Sequence, residues 1–380
     1  MTFVDEVKNA VTPRAALLVI GVLALQLLFI ASYVGALHHP KPTDVKVAVV
    51  APGSIAGQLA DELRQLPGGP LDPRTLPDEK KAREQMLNRD IDAALLIDAK
   101  SSTDTLLIAS GQGSTETSTL LNLFEQIEAQ QQRTLKLDDV APASQEDADG
   151  LSSFYLVVGW CVGGYLCAAI LAISAGARPA NRSRAVIRLI VTALYAVAGG
   201  LIGAVITGPI LGALPGSLWG LWGLGALTVF AVGAATLAFQ SIFGVVGIGL
   251  AILVVVVAGN PSAGGAFPLP LLPDFWRAIG PALPVGAATW VARSIAYFRG
   301  NAVTGPLLIL SSWAFVGTVV TLVMASLRRK DRPAGPAMAP AEDRPPGPGD
   351  EGGRTEGTEP GAEGPEPGTP TGPRTGATPV

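Results

Sequence analysis

The chain has 380 residues, of which 48% are hydrophobic and only 15% charged, with a formal net charge of −4 and a mean hydropathy of +0.40. Soluble proteins carry about 25% charged residues, so this is not the composition of an ordinary soluble enzyme. The apolar residues gather into long runs, which divide the chain into a membrane body, one polar domain and a tail.

In chain order, residues 1–14 come first. Phe3, Val4, Val7 and Val11 fall on one side of FVDEVKNAV, which predicts a short amphipathic helix on the cytoplasmic membrane surface. The run 15–37, AALLVIGVLALQLLFIASYVGAL, is long enough to cross the bilayer. It exceeds the about 7–15 residues of a signal-peptide core, so it reads as an uncleaved anchor. Residues 38–153 are polar and alternate between strand and helix patterns. Strands are expected at Val45–Val50, Ile91–Ile97, Thr105–Ala109 and 134–140, and helices at 55–66 (capped by Ser54), Pro77–Asn88 and Ser114–Arg133. That alternation predicts a small α/β domain, with 11 basic against 19 acidic residues over 38–150. Its glycine turns, APGSIAG and SGQGST, match neither GxGxxG nor GxxxxGK[ST].

Five further apolar runs follow, at 154–175, 187–207, 217–239, 241–258 and 303–327. The junction Phe239-Gln240-Ser241 leaves almost no loop and predicts a tight helical hairpin. Residues 328–380 begin with Arg328-Arg329-Lys330 and continue as Pro, Gly, Glu and Thr, too polar to fold, so a disordered cytoplasmic tail is expected. The fold class is thus an α-helical polytopic membrane protein. It has six transmembrane helices, an extracytoplasmic α/β domain between the first two, and a disordered C-terminal tail.

Basic residues set the orientation. Lys8 and Arg14, then Arg178, Arg182, Arg184 and Arg188, then Arg328, Arg329 and Lys330 all fall on one side of a six-span chain. The positive-inside rule makes that side the cytoplasm, with both termini there and 38–153 outside. A seventh span at 284–298 would move the last cluster outside, and that segment is short and holds Arg293. The Gly- and Pro-broken stretch 259–302 therefore leaves and returns on the outer side. Broken backbone at membrane depth is tolerated only against protein or a wet cavity. Two amphipathic helices tucked into the outer leaflet are expected there, one at 275–279 capped by Asp274 and ended by Gly280, the other at about 285–298.

No Asp, Glu, Lys, Arg or His lies in the middle of a run, which argues against an ion-coupled carrier. The spacings Gly159/Gly163, Gly164/Ala168, Gly199/Gly203 and Gly200/Ala204 suit close helix packing. Cys161 and Cys167 share one apolar run without a CxxC or zinc-ligand spacing, and His38 and His39 are adjacent and diverge on a helix. No catalytic, metal or cofactor site is expected, and no nucleic-acid partner.

One span, an outer α/β domain and five spans with a broken loop before the last resemble type-2 ABC transporter permeases, most closely the phage-infection-protein-like branch. The resemblance is carried by VKVAVVAPG with IAGQLADEL, by RDIDAALLID, and above all by GNPSAGGAFPLPLLPDFWRAIGPALPVGAATWVARSIAYFRGN at 259–301. In that branch a Ser-Gly-Gly turn, an LP-F helix and a P-LP break lead to a helix bearing Arg. Here Ser262-Ala263-Gly264-Gly265 carries an extra Ala. The resemblance implies ATP-driven export of an amphiphilic or lipid-like substrate with the ATPase on a separate subunit, and a homodimer or heterodimer of permeases in the bacterial plasma membrane. It implies an ATPase-docking loop at 176–187 with Arg178, Arg182 and Arg184. The broken loop becomes an outer gate that includes Gly264, Gly265, Pro273, Asp274, Phe275, Trp276, Arg277, Pro281, Pro284 and Arg293. The competing reading is a non-transporting receptor or secretion scaffold whose outer domain binds a partner.

Overall fold

The computed structural model describes residues 12–330. The expected amphipathic helix falls almost entirely outside that range, as does the tail beyond residue 330. Helix α1, Pro13–Leu37, starts where the Thr12 hydroxyl accepts the Ala15 N–H at 3.2 Å, with Pro13 at the first position. Leu17, Ile20 and Val22 stay exposed along it, whereas Ser32 and Ala36 are buried.

The polar segment folds as β1 (Val45–Val50), α2 (Ile55–Arg64), β2 (Leu71–Thr75), α3 (Glu79–Leu87), β3 (Ala93–Leu96), β4 (Thr103–Ile108), α4 (Ser114–Gln130) and β5 (Thr134–Asp139). The five-stranded sheet has the order β2-β1-β3-β4-β5. Only β3 and β4 run antiparallel. Strand β2 was not expected, because LDPRT holds a proline and one large apolar residue. It survives because it is an edge strand, paired only to β1 with Pro73 opposite Val47, so that the missing N–H costs little. Ser54 makes no side-chain cap to α2, contrary to expectation, whereas Asp78 caps α3 through the Lys81 N–H at 2.8 Å.

One face of the sheet buries Val45, Val47, Val49, Leu95 and Leu106 against Leu63, Leu120 and Phe124. The other buries Ala48, Ala94 and Leu107 against Ala82 and Met86 of α3. This second cluster runs without interruption into Trp160, Leu221, Val285, Val291 and Phe298. The sheet therefore shares a core with the helices that follow.

Those helices are α5 (Ser152–Ala175), α6 (Arg182–Val205, prolonged by a π-helical turn to Ile210), α7 (Leu218–Phe243), α8 (Val246–Ser262), α9 (Asp274–Ile279), α10 (Pro284–Tyr297) and α11 (Thr304–Lys330). Five helices, α1, α5, α6, α7 and α11, are long and apolar enough to cross a membrane. The sixth expected span is the shorter α8, and its start is corrected. Helix α7 runs through 239–241 to Phe243, and the turn falls at Gly244, whose φ of 67° suits glycine. Gln240 and Ser241 look like turn residues in sequence, but both are buried, and the Gln240 amide donates to the Ala168 carbonyl at 3.1 Å. Helix α11 likewise continues through 328–330, where a tail was expected.

Helix α7 is the axis of the bundle, with Leu221, Leu224, Val229, Val232 and Leu237 buried. Gly164 and Gly200 let α5 and α6 approach it closely: a Cβ on Gly164 would lie 2.7 Å from the Val229 carbonyl oxygen, and one on Gly200 2.5 Å from the Ala226 nitrogen. Gly159 and Gly199 meet nothing within 4 Å.

Candidate functional site

The helices present two chemically different ends. At the end reached by the C-termini of α5 and α7, arginines occupy orphan carbonyls. Arg188, 4% exposed, donates to Ala175 O at 2.9 Å and Gly176 O at 2.7 Å. Arg178 donates to Ile242 O at 2.9 Å, and Arg328 donates to Ser241 O. Cations at helix C-termini are stabilising. Arg182 and Arg184 are placed differently, exposed in the first turn of α6, where Asn181 accepts the Arg184 N–H at 2.9 Å. A positive charge there opposes the helix dipole, so local helix energetics do not account for these two residues. Of the three arginines expected to dock a partner, Arg178 is engaged with the fold and Arg182 and Arg184 are free of side-chain bonds among the described residues.

At the opposite end, the broken stretch and α10 join the sheet domain to the bundle. The expected pair of amphipathic outer helices is corrected in two respects. Helix α9 begins at Asp274 itself, so the cap position falls to Pro273, which has no side-chain acceptor, and the Asp274 carboxylate accepts from Arg277 at 2.8 Å. Helix α10 is not amphipathic in its environment: most of its apolar residues and also Thr289, Arg293, Ser294 and Tyr297 are buried, while Trp290, Ile295 and Ala296 are half-buried. It packs on α5, α7 and α11 and meets the sheet domain at Ser110–Gln112. Arg293, 3% exposed, holds this junction by donating to Gly264 O at 2.6 Å, Gly265 O at 2.8 Å and Gly150 O at 3.1 Å. Gly265 has no room for a side chain because the Phe154 ring lies against it, and Gly264 adopts φ 69°.

Between the sheet domain, the broken stretch and α10 lies a cavity of about 660 Å3, within the usual range for small-ligand pockets. Of the expected gate residues, Gly264, Arg277, Pro281 and Arg293 line it. Pro273, Asp274 and Phe275 are exposed, Trp276 is half-buried, and Gly265 and Pro284 are buried, but none of these six lines it. The sheet domain contributes Lys46, Arg89, Asp92 and Gln112, and α10 adds Trp290.

Arg89 is the residue that sequence reasoning missed. It follows α3 with φ 61°, in a helix-ending position that usually carries glycine. Its guanidinium lies 3.4 Å from the Trp290 ring centroid and donates to Trp290 O (2.8 Å), Ser294 Oγ (2.8 Å) and Gln112 Oε1 (2.7 Å). Burial, reinforced by Arg293, lowers its pKa to about 9, and Glu116 and Asp92 oppose that shift, so it stays charged at neutral pH. Glu116, 4% exposed, is held well above the carboxylate range by burial and by Asp92. The local sequence LNRD carries no signal for this cluster, because Gln112, Trp290 and Ser294 lie 23, 201 and 205 positions away in the chain.

Nothing in this arrangement pairs a nucleophile with a base. Among the described residues no group of three or more His, Cys, Asp or Glu is placed to hold a metal ion. The geometry is that of a binding cavity at one end of a helical membrane protein. Residues 15–327 match the family model of the ABC-2 family transporter proteins, and the chain belongs to that family. It is a multi-pass membrane protein of the kind that forms the transport subunit, not itself catalytic, of a system that normally works with an ATP-binding subunit. No curated protein and no solved structure matches it.

Proposed function

We propose that this chain is the permease of an ATP-driven exporter that moves an amphiphilic substrate out of the cell. It works with a separate ATPase subunit and with a second permease. In this reading α8 completes a sixth crossing and both termini are cytoplasmic. The sheet domain lies outside, and the exposed start of α6 receives the ATPase. The observation that carries the reading is the polarity of the family's fold. Arg178, Arg188 and Arg328 gather where α5 and α7 end, and the cavity lies where α5 begins. The 24 residues of α5 set these ends about 36 Å apart at 1.5 Å per residue, enough to cross the about 30 Å of a bilayer's hydrocarbon core. Closure of the ATPase pair would rock α6 and transmit motion through its close contact with α7 toward the cavity.

The experiment is co-purification of the full chain with its ATP-binding subunit. Replacing Arg182 and Arg184 with Ser is expected to weaken capture, whereas Gly57→Ala in the sheet domain leaves it unchanged. Full capture by the double variant would remove the docking role. Labelling of single cysteines at position 181 from the cell exterior would remove the orientation.

A further inference from the structure

Resting on that reading, the cavity also indicates the chemistry of what it holds. Four cations line it, Lys46, Arg89, Arg277 and Arg293, against two carboxylates, Asp44 and Asp92. Arg277 is matched by Asp44 at 3.3 Å and Asp274 at 2.8 Å. Asp92 accepts the Lys46 backbone N–H at 3.0 Å, and the exposed Lys46 ammonium has no side-chain partner among the described residues. Arg89 and Arg293 have no carboxylate within ion-pair distance among the described residues. A guanidinium carries five N–H donors. Each of these two uses three, and the Nε of each is buried without an acceptor. Glu116 is also buried nearby, with its Oε1 unpartnered. Two buried guanidiniums with spare donors are costly unless an anion answers them. The left-handed backbone at Arg89 shows that its position is enforced by the surrounding structure at a cost.

Apart from Thr43, Gln112, Thr289 and Thr304, the rest of the wall is apolar and includes Pro268, Leu269, Pro270 and Pro306. We propose that the cavity holds an anionic amphiphile, its phosphate or carboxylate headgroup answered by Arg89 and Lys46 and its apolar part lying on Leu269, Trp290 and Pro306. Arg293, which ties the broken stretch to the sheet domain, is the positioning residue that keeps this wall in place.

The test uses the purified full chain in detergent, with short-chain phosphatidylglycerol as the probe, short-chain phosphatidylcholine as the zwitterionic control and inorganic phosphate as the free anion. Binding is read by native mass spectrometry and by the ligand-induced rise in Tm. Phosphatidylglycerol is expected to bind, phosphatidylcholine and phosphate to bind at least about tenfold more weakly, and Arg89→Gln to lose about tenfold or more in affinity. Lys46→Gln, at an exposed position on the cavity edge, reads the same charge dependence should Arg89→Gln fail to fold. Equal binding of phosphatidylcholine, equal displacement by inorganic phosphate, or unchanged affinity in both variants would overturn the proposal. Loss of ATPase co-purification is a separate readout: it would strike the exporter reading and leave the headgroup site standing.

Discussion

The Tyr297 hydroxyl donates to the Asp147 carboxylate at 2.6 Å, with both side chains buried. The other carboxylate oxygen accepts the Ser152 N–H at 2.8 Å, at the first residue of α5. One acid therefore ties the segment leaving the sheet domain to α5 and to α10. Tyr297→Phe leaves that carboxylate short of a donor in a place water does not reach. It is expected to cost about 1–3 kcal/mol, read as a lower midpoint in thermal unfolding of the full chain in detergent. An unchanged midpoint would mean that the junction does not depend on this bond.

Two glycines make opposite predictions. A Cβ at Gly280 would collide with the Ser262 carbonyl oxygen, and backbone cannot yield as a flexible side chain can. Gly280→Ala is therefore expected to destabilise the broken stretch and shrink the cavity. Gly57 lies inside α2 with nothing within 4 Å of its Cβ position. Gly57→Ala is expected to stabilise by about 0.4–1 kcal/mol through the unfolded chain. Unfolding midpoints of the two variants, measured side by side, decide both.

Phe124 is fully buried at the centre of the face that the sheet shares with α2 and α4. Phe124→Ala is expected to cost about 3–5 kcal/mol. Limited proteolysis should then cut first within 45–139 and spare the bundle. Cleavage confined to α6 or α11 would contradict this.

Glu128 gives the sheet domain a pH dependence. Burial, then the neighbouring Asp104 carboxylate, raises its pKa from 4.5 to about 7, and Arg133 only partly offsets this. The folded chain thus holds this proton more tightly than the unfolded chain. The stabilising contribution is complete below about pH 4.5 and lost as pH rises through about 7. Relative to Glu128→Gln, the parent protein should lose stability between those values, and unfolding midpoints across that window measure the slope. Parallel profiles would rule the group out.

Much of this architecture is legible in the chain because its determinants are local. Apolar length marks five of the helices, and strand and helix periods alternate through 45–139. What failed did so for identifiable reasons. Strand β2 carries Pro73, tolerable only because one edge of the sheet is open. Gln240 reads as a turn residue until Ala168 O, 72 positions away, accepts its amide. Helix α10 reads as amphipathic because Arg293 and Tyr297 are polar, yet both are buried against carbonyls and Asp147. For the candidate site, Arg277 and Arg293 could be picked out from their setting in a broken apolar loop, whereas Arg89 could not.

By itself, then, the sequence determined which segments are apolar enough to leave water, which segment remains polar, and the family to which that pattern belongs. These follow from composition and period over about 20 residues. The tertiary structure alone decided where α7 stops, how the sheet core continues into the bundle, and that Arg89 meets Trp290 across 201 positions of chain. Burial and hydrogen-bond satisfaction depend on partners brought together from distant segments, and no local window contains them.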